Sequence, residues 1–179
     1  MVKQAVTVFD MDYNSLNVQV ITVSDTRTEE TDKSGKVLVE RIQSAGHRLL
    51  GKTIVPDDVY QLRAAVSIAI ADPETQVVLL TGGTGFSQRD NTSIAITPLL
   101  ESSIDGFGEL FRQLSFEEIG TSTIQSRAFA GLTNGTIVFC IPGSPGACAT
   151  AWDKIIAEQL NSAHKPCNFV DKLNLADNQ

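Results

Sequence analysis

The chain has little of what usually marks a metal, redox or nucleic-acid protein. It has only three cysteines, Cys140, Cys148 and Cys167, in 179 residues, and no two form a CxxC pair. The two histidines, His47 and His164, stand alone. Neither set has the spacing of a zinc site, and an odd cysteine count without metal spacing fits a reducing compartment, so a cytoplasmic location is expected. No apolar run approaches the ~20 residues that span a bilayer. Asp10 and Asp12 interrupt any apolar signal-peptide core, so neither membrane insertion nor export is expected. Basic residues are outnumbered 14 to 21, a net charge of −7, which argues against nucleic acid as the main partner. A phosphate-binding site on such a chain must be locally positive or assisted by a cation. Two familiar nucleotide motifs are also missing. No Gly-Lys-Ser/Thr follows the glycine-rich run, and Gln88 stands where the third glycine of GxGxxG would fall.

What is present begins at Gln76–Asp90, QVVLLTGGTGFSQRD. Val77–Leu80 is a short apolar run with the character of a buried strand. It runs into Thr81-Gly82-Gly83-Thr84-Gly85, where three glycines in four positions permit positive φ and close approach of a ligand to the main chain. A helical pattern follows near Thr92, so loop N–H groups and a helix start could face one anion. Asp90 sets a carboxylate beside that anion site, an arrangement relieved by a divalent cation between carboxylate and phosphate. The plainer reading of Asp90 is a helix N-cap.

The rest of the chain alternates strand and helix. Val18–Val23 reads as a strand covered on both faces. Asp32 is placed to cap a helix over about 33–45, with Gly46 as its stop. A strand over about 47–55 ends at Pro56-Asp57-Asp58, where one aspartate is expected to cap the helix that follows. After the Val77–Leu80 strand, Phe107, Leu110, Phe111 and Leu114 form a helical apolar stripe expected in the core. Ser115–Arg127, SFEEIGTSTIQSR, is hydroxyl-rich without a clean period and reads as a functional segment. Asn134-Gly135 signals a hairpin before the last strand, Thr136–Ile141. Pro142-Gly143-Ser144-Pro145-Gly146 is a second strand-to-helix loop, and Trp152 on its helix reads as core. The alternation predicts an α/β domain with a mostly parallel sheet over 17–163, preceded by an arm (1–16) and followed by a polar tail (164–179). Four loops then share the carboxyl edge of the sheet, where open α/β sheets bind ligands: Ser24-Asp25, Asp57-Asp58, Thr81–Gly85 and Pro142–Gly146. Two carry acids and two carry glycines, a combination suited to a magnesium-dependent nucleotide enzyme.

Four stretches in order, TVSDTR at 22–27, TGGTGFSQRD at 81–90, GFGELFRQLSFEEIGTSTIQSRAFAG at 106–131 and IPGSPGA at 141–147, resemble the MoaB/Mog family of molybdenum-cofactor biosynthesis. The SFEEIGTSTIQSRA block and Pro166-Cys167-Asn168-Phe169 resemble the MoaB branch, and the likeness covers about residues 17 to 170. The resemblance implies a single-domain, three-layer α/β sandwich with a mostly parallel sheet, and a homotrimer or homohexamer. It implies adenylylation of the terminal phosphate of molybdopterin by ATP, with Mg²⁺ help and release of pyrophosphate. On this likeness Thr81, Gly82, Gly83, Thr84 and Gly85 hold the nucleotide. Asp57 and Asp90 are the catalytic, magnesium-binding acids. Ser24, Asp25, Ser115, Gly143, Ser144 and Pro145 lie along the molybdopterin side. Contacts with other proteins of the pathway are part of the same expectation. The MoaB-like character also admits a pterin-binding carrier or assembly protein without efficient turnover.

Overall fold

A computed structural model describes residues 14–174. The expected arm therefore lies almost wholly outside the described residues. Its last residue, Leu16, is fully buried and donates its N–H to His47 Nδ1 at 3.1 Å.

Six strands form one sheet: β1 (Asn17–Val23), β2 (Arg48–Val55), β3 (Val77–Thr81), β4 (Ser102–Ser103), β5 (Phe129–Thr133) and β6 (Thr136–Ile141). Their spatial order is β2-β1-β3-β6-β5-β4. The first four in that order run parallel, and β5 and β4 add an antiparallel edge. The β5–β6 turn is Asn134-Gly135 with φ of 48° and 69°, the left-handed pair that a two-residue hairpin of matching twist requires. The two-residue strand β4 has no apolar pattern of its own. It exists because Ser102 and Ser103 pair with Leu132 and Gly131.

Side chains leave the strands with period two and split between two cores. Val18, Val20, Val77, Leu79, Ile137 and Phe139 point to one face. That face is covered by α1 (Lys33–Ser44), α4 (Asp105–Ile119) and α5 (Pro145–Ala151), the last continuing through a π-helical turn at Trp152–Ile156. Ile21, Val78, Leu80, Val138 and Cys140 point to the other face, under α2 (Val59–Ala71) and α3 (Thr92–Ile96). The result is a three-layer α/β sandwich, with the mostly parallel sheet that the alternation predicts and the layering that the family resemblance implies. Cys140 and Trp152 are buried in the core.

Local chemistry explains the helix starts. Asp32 accepts the Gly35 N–H at 2.9 Å and Asp58 accepts those of Tyr60 and Gln61, so Asp58 does the capping and Asp57 is released from it. Two expectations change. Leu110 is 41% exposed, so the core stripe of α4 narrows to Phe107 and Phe111, with Leu114 packed beside it. The hydroxyl-rich segment is not irregular at its start: α4 continues to Ile119 and passes into a 3₁₀ turn over Gly120–Gln125. Its polarity hides the helix because Ser115 and Thr123 are buried as hydroxyls, with Thr123 Oγ1 donating to the Arg112 carbonyl. The C-terminal segment has no core of its own, but Val170 and Leu173 join the first core. Asn168 holds it in place by donating to the Ser162 and His164 carbonyls and accepting the Val170 N–H.

His47 ties the chain start to the sheet. Burial pushes its pKa down to about 4, and protonating Nδ1 would break the Leu16 bond. Above its unfolded pKa near 6.5 the imidazole is neutral in both states and contributes no pH dependence. Between 6.5 and 4 the unfolded chain takes up a proton that the folded chain refuses, so stability falls as pH falls. The full loss is about 3 kcal/mol at most. Denaturant melts from about pH 7 to about pH 4 should show this slope. His47→Asn, which keeps an acceptor for Leu16, should flatten it, and an unchanged slope in the variant would exclude His47 as the source.

Candidate active site

The strand order places β1 between β2 and β3, so the connections leaving β1 and β3 diverge and open a crevice at the carboxyl edge of the sheet. A cleft of about 520 Å³ lies there, within the usual size of small-ligand sites. Eleven of the residues expected from sequence line it: Ser24, Asp25, Asp57, Gly82, Gly83, Thr84, Gly85, Asp90, Ser115, Gly143 and Ser144. Thr81 and Pro145 do not. Thr81 is fully buried, and its hydroxyl donates to the Pro142 carbonyl at 3.1 Å. Pro145 is the first residue of α5, where its fixed φ and missing N–H suit a helix start.

The glycine loop forms the floor. Gly82 and Gly83 have φ of 113° and 65°. The Gly82 N–H donates to the Ile141 carbonyl, the Gly82 carbonyl accepts from Thr92 Oγ1, and the Gly83 carbonyl accepts the Thr92 N–H. These bonds turn the loop carbonyls toward α3 and tie the Gly82 N–H to β6. The N–H groups of Gly83 and Thr84 have no acceptor among the described residues. Two adjacent free N–H donors in a left-handed turn form an anion-binding concavity. Gly143 packs against the same floor: a Cβ there would sit 3.1 Å from the Gly82 Cα.

Two carboxylates flank this floor. A Cβ on Gly83 would lie 2.8 Å from Asp57 Oδ2, and one on Gly85 would lie 2.8 Å from Asp90 Oδ2. Asp57 Oδ1 accepts the Asn91 N–H at 2.9 Å. Burial raises the Asp57 pKa, two hydrogen bonds from Asn91 oppose that, and the charges of Asp90 and Asp25 add to it. For Asp90, burial pushes upward but is outweighed by donors from Ser87 and Gly85 and by the Arg127 charge, which hold its carboxyl low. Asp90 accepts the Ser87 N–H and does not cap α3, whose preceding residue is Asn91. Asp25 is held low by the Arg89 guanidinium and then by the Asp57 N–H.

Four residues escaped sequence reasoning: Arg127, Arg89, and the two apolar residues Phe111 and Ile119 that flank the expected Ser115. Arg127 reaches from the hydroxyl-rich segment to the carbonyls of Thr84, Gly85 and Asp90, and its guanidinium lies 4.8 Å over the Phe86 ring, so it clamps the glycine loop. Arg89 pairs with Asp25 at 2.5 Å. Phe111, Ser115 and Ile119, at spacing i, i+4, i+8, present one face of α4 to the cleft. That spacing was available in the sequence, whereas the two arginines meet partners at least 37 residues away.

A cleft with two free main-chain N–H groups on its floor and flanking acids, at the switch point of a parallel sheet, defines an α/β protein of the class that binds small ligands at the carboxyl edge of its sheet. Residues 19–162 match the family described as a probable molybdopterin binding domain. The chain is 52% identical to molybdenum cofactor biosynthesis protein B of Escherichia coli K12 over 152 residues, 85% of this chain and 89% of that protein. A crystal structure of a molybdenum cofactor biosynthesis protein B superposes with a TM-score of 0.80 at 44% identity, covering 82% of this chain and 92% of the other. The tungsten cofactor synthesizing protein MoaB of Pyrococcus furiosus superposes with a TM-score of 0.73 at 38% identity, covering 80% and 92%. The chain belongs to the MoaB/Mog family of molybdenum-cofactor biosynthesis, on the MoaB side. No helix among the described residues is long and apolar enough to cross a membrane.

Proposed function

We propose that the chain adenylylates molybdopterin with ATP. One observation carries this reading: the free N–H groups of Gly83 and Thr84 lie in the same cleft as the Asp57 and Asp90 carboxylates. The N–H pair suits polyphosphate oxygens, and the acids suit a hard cation bridging to them. Among the described residues no group of three or more His, Cys, Asp or Glu side chains could hold a metal alone. That fits Mg²⁺, which binds through one or two carboxylates and completes its shell with water and phosphate oxygens. Asp57 and Asp90 would hold it, and when bound it would neutralise charge building on the phosphates.

In the reaction a terminal phosphate oxygen of molybdopterin attacks the α-phosphorus of ATP. A new P–O bond forms as the α–β bridge breaks, and the electron pair leaves with pyrophosphate. The protein's share is positioning and charge stabilisation. Gly83 and Thr84 N–H groups grip the nucleotide phosphates. Ser115 and the Gly143-Ser144 loop, on the α4 and α5 side of the cleft, bound the pterin. The Ser24 hydroxyl accepts the Thr26 and Arg27 N–H groups, so it shapes the β1 loop at the cleft.

Purified protein mixed with molybdopterin, ATP and Mg²⁺ should yield adenylylated pterin and equimolar pyrophosphate. Tight pterin binding without either product would instead mark a carrier. A homotrimer or homohexamer is part of the same reading. Light scattering should give three or six copies, and a monomer at working concentration would remove the assembly from this reading.

A further inference from the structure

Among the described residues the cleft is lined by three carboxylates, Asp25, Asp57 and Asp90, and by one cationic side chain, Arg89. A polyanion entering this cleft therefore has one mobile positive partner besides the fixed N–H cradle. Arg127 does not line the cleft, and its Nε and Nη2 are held by the carbonyls of Thr84, Gly85 and Asp90.

The Arg89–Asp25 pair is asymmetric. Asp25 is anchored: its Oδ1 accepts the Asp57 N–H at 3.1 Å, while only Oδ2 meets Arg89. Arg89 is the loose member. Its side chain is 68% exposed, and Nη2 makes the guanidinium's one contact with a protein acceptor among the described residues. The pair spans the loop after β1 and the loop after β3, the two that diverge around the crevice. A guanidinium with spare N–H donors, tied by one bond to an exposed carboxylate, loses little when it moves to a phosphate that offers two parallel bonds and more charge.

We infer that Arg89 and Asp25 form an exchangeable ion pair, in which the polyphosphate of the incoming nucleotide takes Arg89 from Asp25. This rests on the nucleotide reading above. In the resting state Asp25 keeps Arg89 at the rim and neutralises it. On binding, Arg89 closes over the phosphates. The uncovered Asp25 charge then adds to the negative field around Asp57 and Asp90, where a cation is held, without itself becoming a ligand. Phosphate capture and cation affinity are coupled through this swap.

The test is a double-mutant cycle on the full-length protein, titrated by calorimetry with inorganic tripolyphosphate in EDTA and then with ATP and Mg²⁺. Arg89→Ala should weaken tripolyphosphate binding about tenfold, the scale of one charge-assisted contact. Asp25→Asn keeps an acceptor for the Asp57 N–H and frees Arg89, so it should tighten binding severalfold. In the Arg89→Ala background that gain should disappear. Arg89→Lys, which keeps the charge and loses the fork, should fall between native and Arg89→Ala. Equal gains from Asp25→Asn in both backgrounds would reduce the effect to a general field and overturn the exchange alone. Weaker tripolyphosphate binding in both single variants would mark a structural latch and also overturn it. Native protein that binds neither tripolyphosphate nor ATP with Mg²⁺ would overturn the nucleotide reading and this inference with it. If Asp25→Asn does not fold, Arg89→Ala with native affinity is sufficient to reject the exchange.

Discussion

Asp57→Asn is expected to lower adenylylation at least ~100-fold, the scale of lost charge stabilisation at a transition state, while leaving the protein as stable as native or more so. The two halves have one cause. Asp57 is 8% exposed and faces the Asp25 and Asp90 charges, and both burial and repulsion raise its pKa. A carboxyl whose folded pKa is raised binds its proton more tightly when folded. Its contribution to stability is present at low pH and is lost as pH rises through the folded value. At neutral pH the ionised group therefore costs stability. Asparagine removes the charge and keeps an acceptor for the Asn91 N–H. The proposed cation role needs the ionised form, so the acid limb of adenylylation is expected above the ordinary carboxylate range. Pyrophosphate release, a pH–rate profile and a thermal melt of native and variant check all three points. A variant with native turnover removes the cation role of Asp57. A variant that turns over slowly because it has unfolded leaves the melt, not the rate, as the explanation.

Gly82→Ala should be the most damaging change to the loop itself. Its φ of 113° is a region L side chains rarely adopt, and an added Cβ would run into the Val23 carbonyl of the neighbouring strand. The residue cannot rotate away, because its N–H is bound to the Ile141 carbonyl and its carbonyl to Thr92 Oγ1. A loss of about 3 kcal/mol or more is expected from the strained backbone and the clash together, with loss of nucleotide binding. Gly106→Ala is the matched control. That glycine sits in the first turn of α4, with open space within 4 Å of where the new methyl group would stand and no positive φ, so alanine should be neutral or mildly stabilising. Equal losses at both positions would mean that glycine freedom, not the geometry of the loop, sets the effect.

Much of this was readable from residue order. Val77–Leu80 is short, apolar and followed by glycines, so both its buried strand and its turn are local properties. The meeting of Asp25, Asp57, Gly82–Gly85 and Gly143 follows once the strands are parallel, because parallel strands deliver their following loops to one edge. What remained hidden depends on distant partners. Thr81 looks like part of a binding loop, yet its hydroxyl is consumed by the Pro142 carbonyl on the adjacent strand connection. Ser115 and Thr123 break the apolar period of α4 and its 3₁₀ extension, although both are buried. Val170 and Leu173 look like a polar tail's stray hydrophobics until the surface they cover is known. The roles of Arg89 and Arg127 are set by a carboxylate and three carbonyls that no spacing rule connects to them.

The close approach of Gly143 to Gly82 has a wider consequence. Two connections that follow different strands touch main chain to main chain, with no side chain between them as padding. They cannot drift apart in evolution one residue at a time: bulk gained on either must be matched by retreat of the other. The connections after β3 and β6 are in this sense a single hinge-free part, and a ligand that shifts one of them shifts the wall formed by the other.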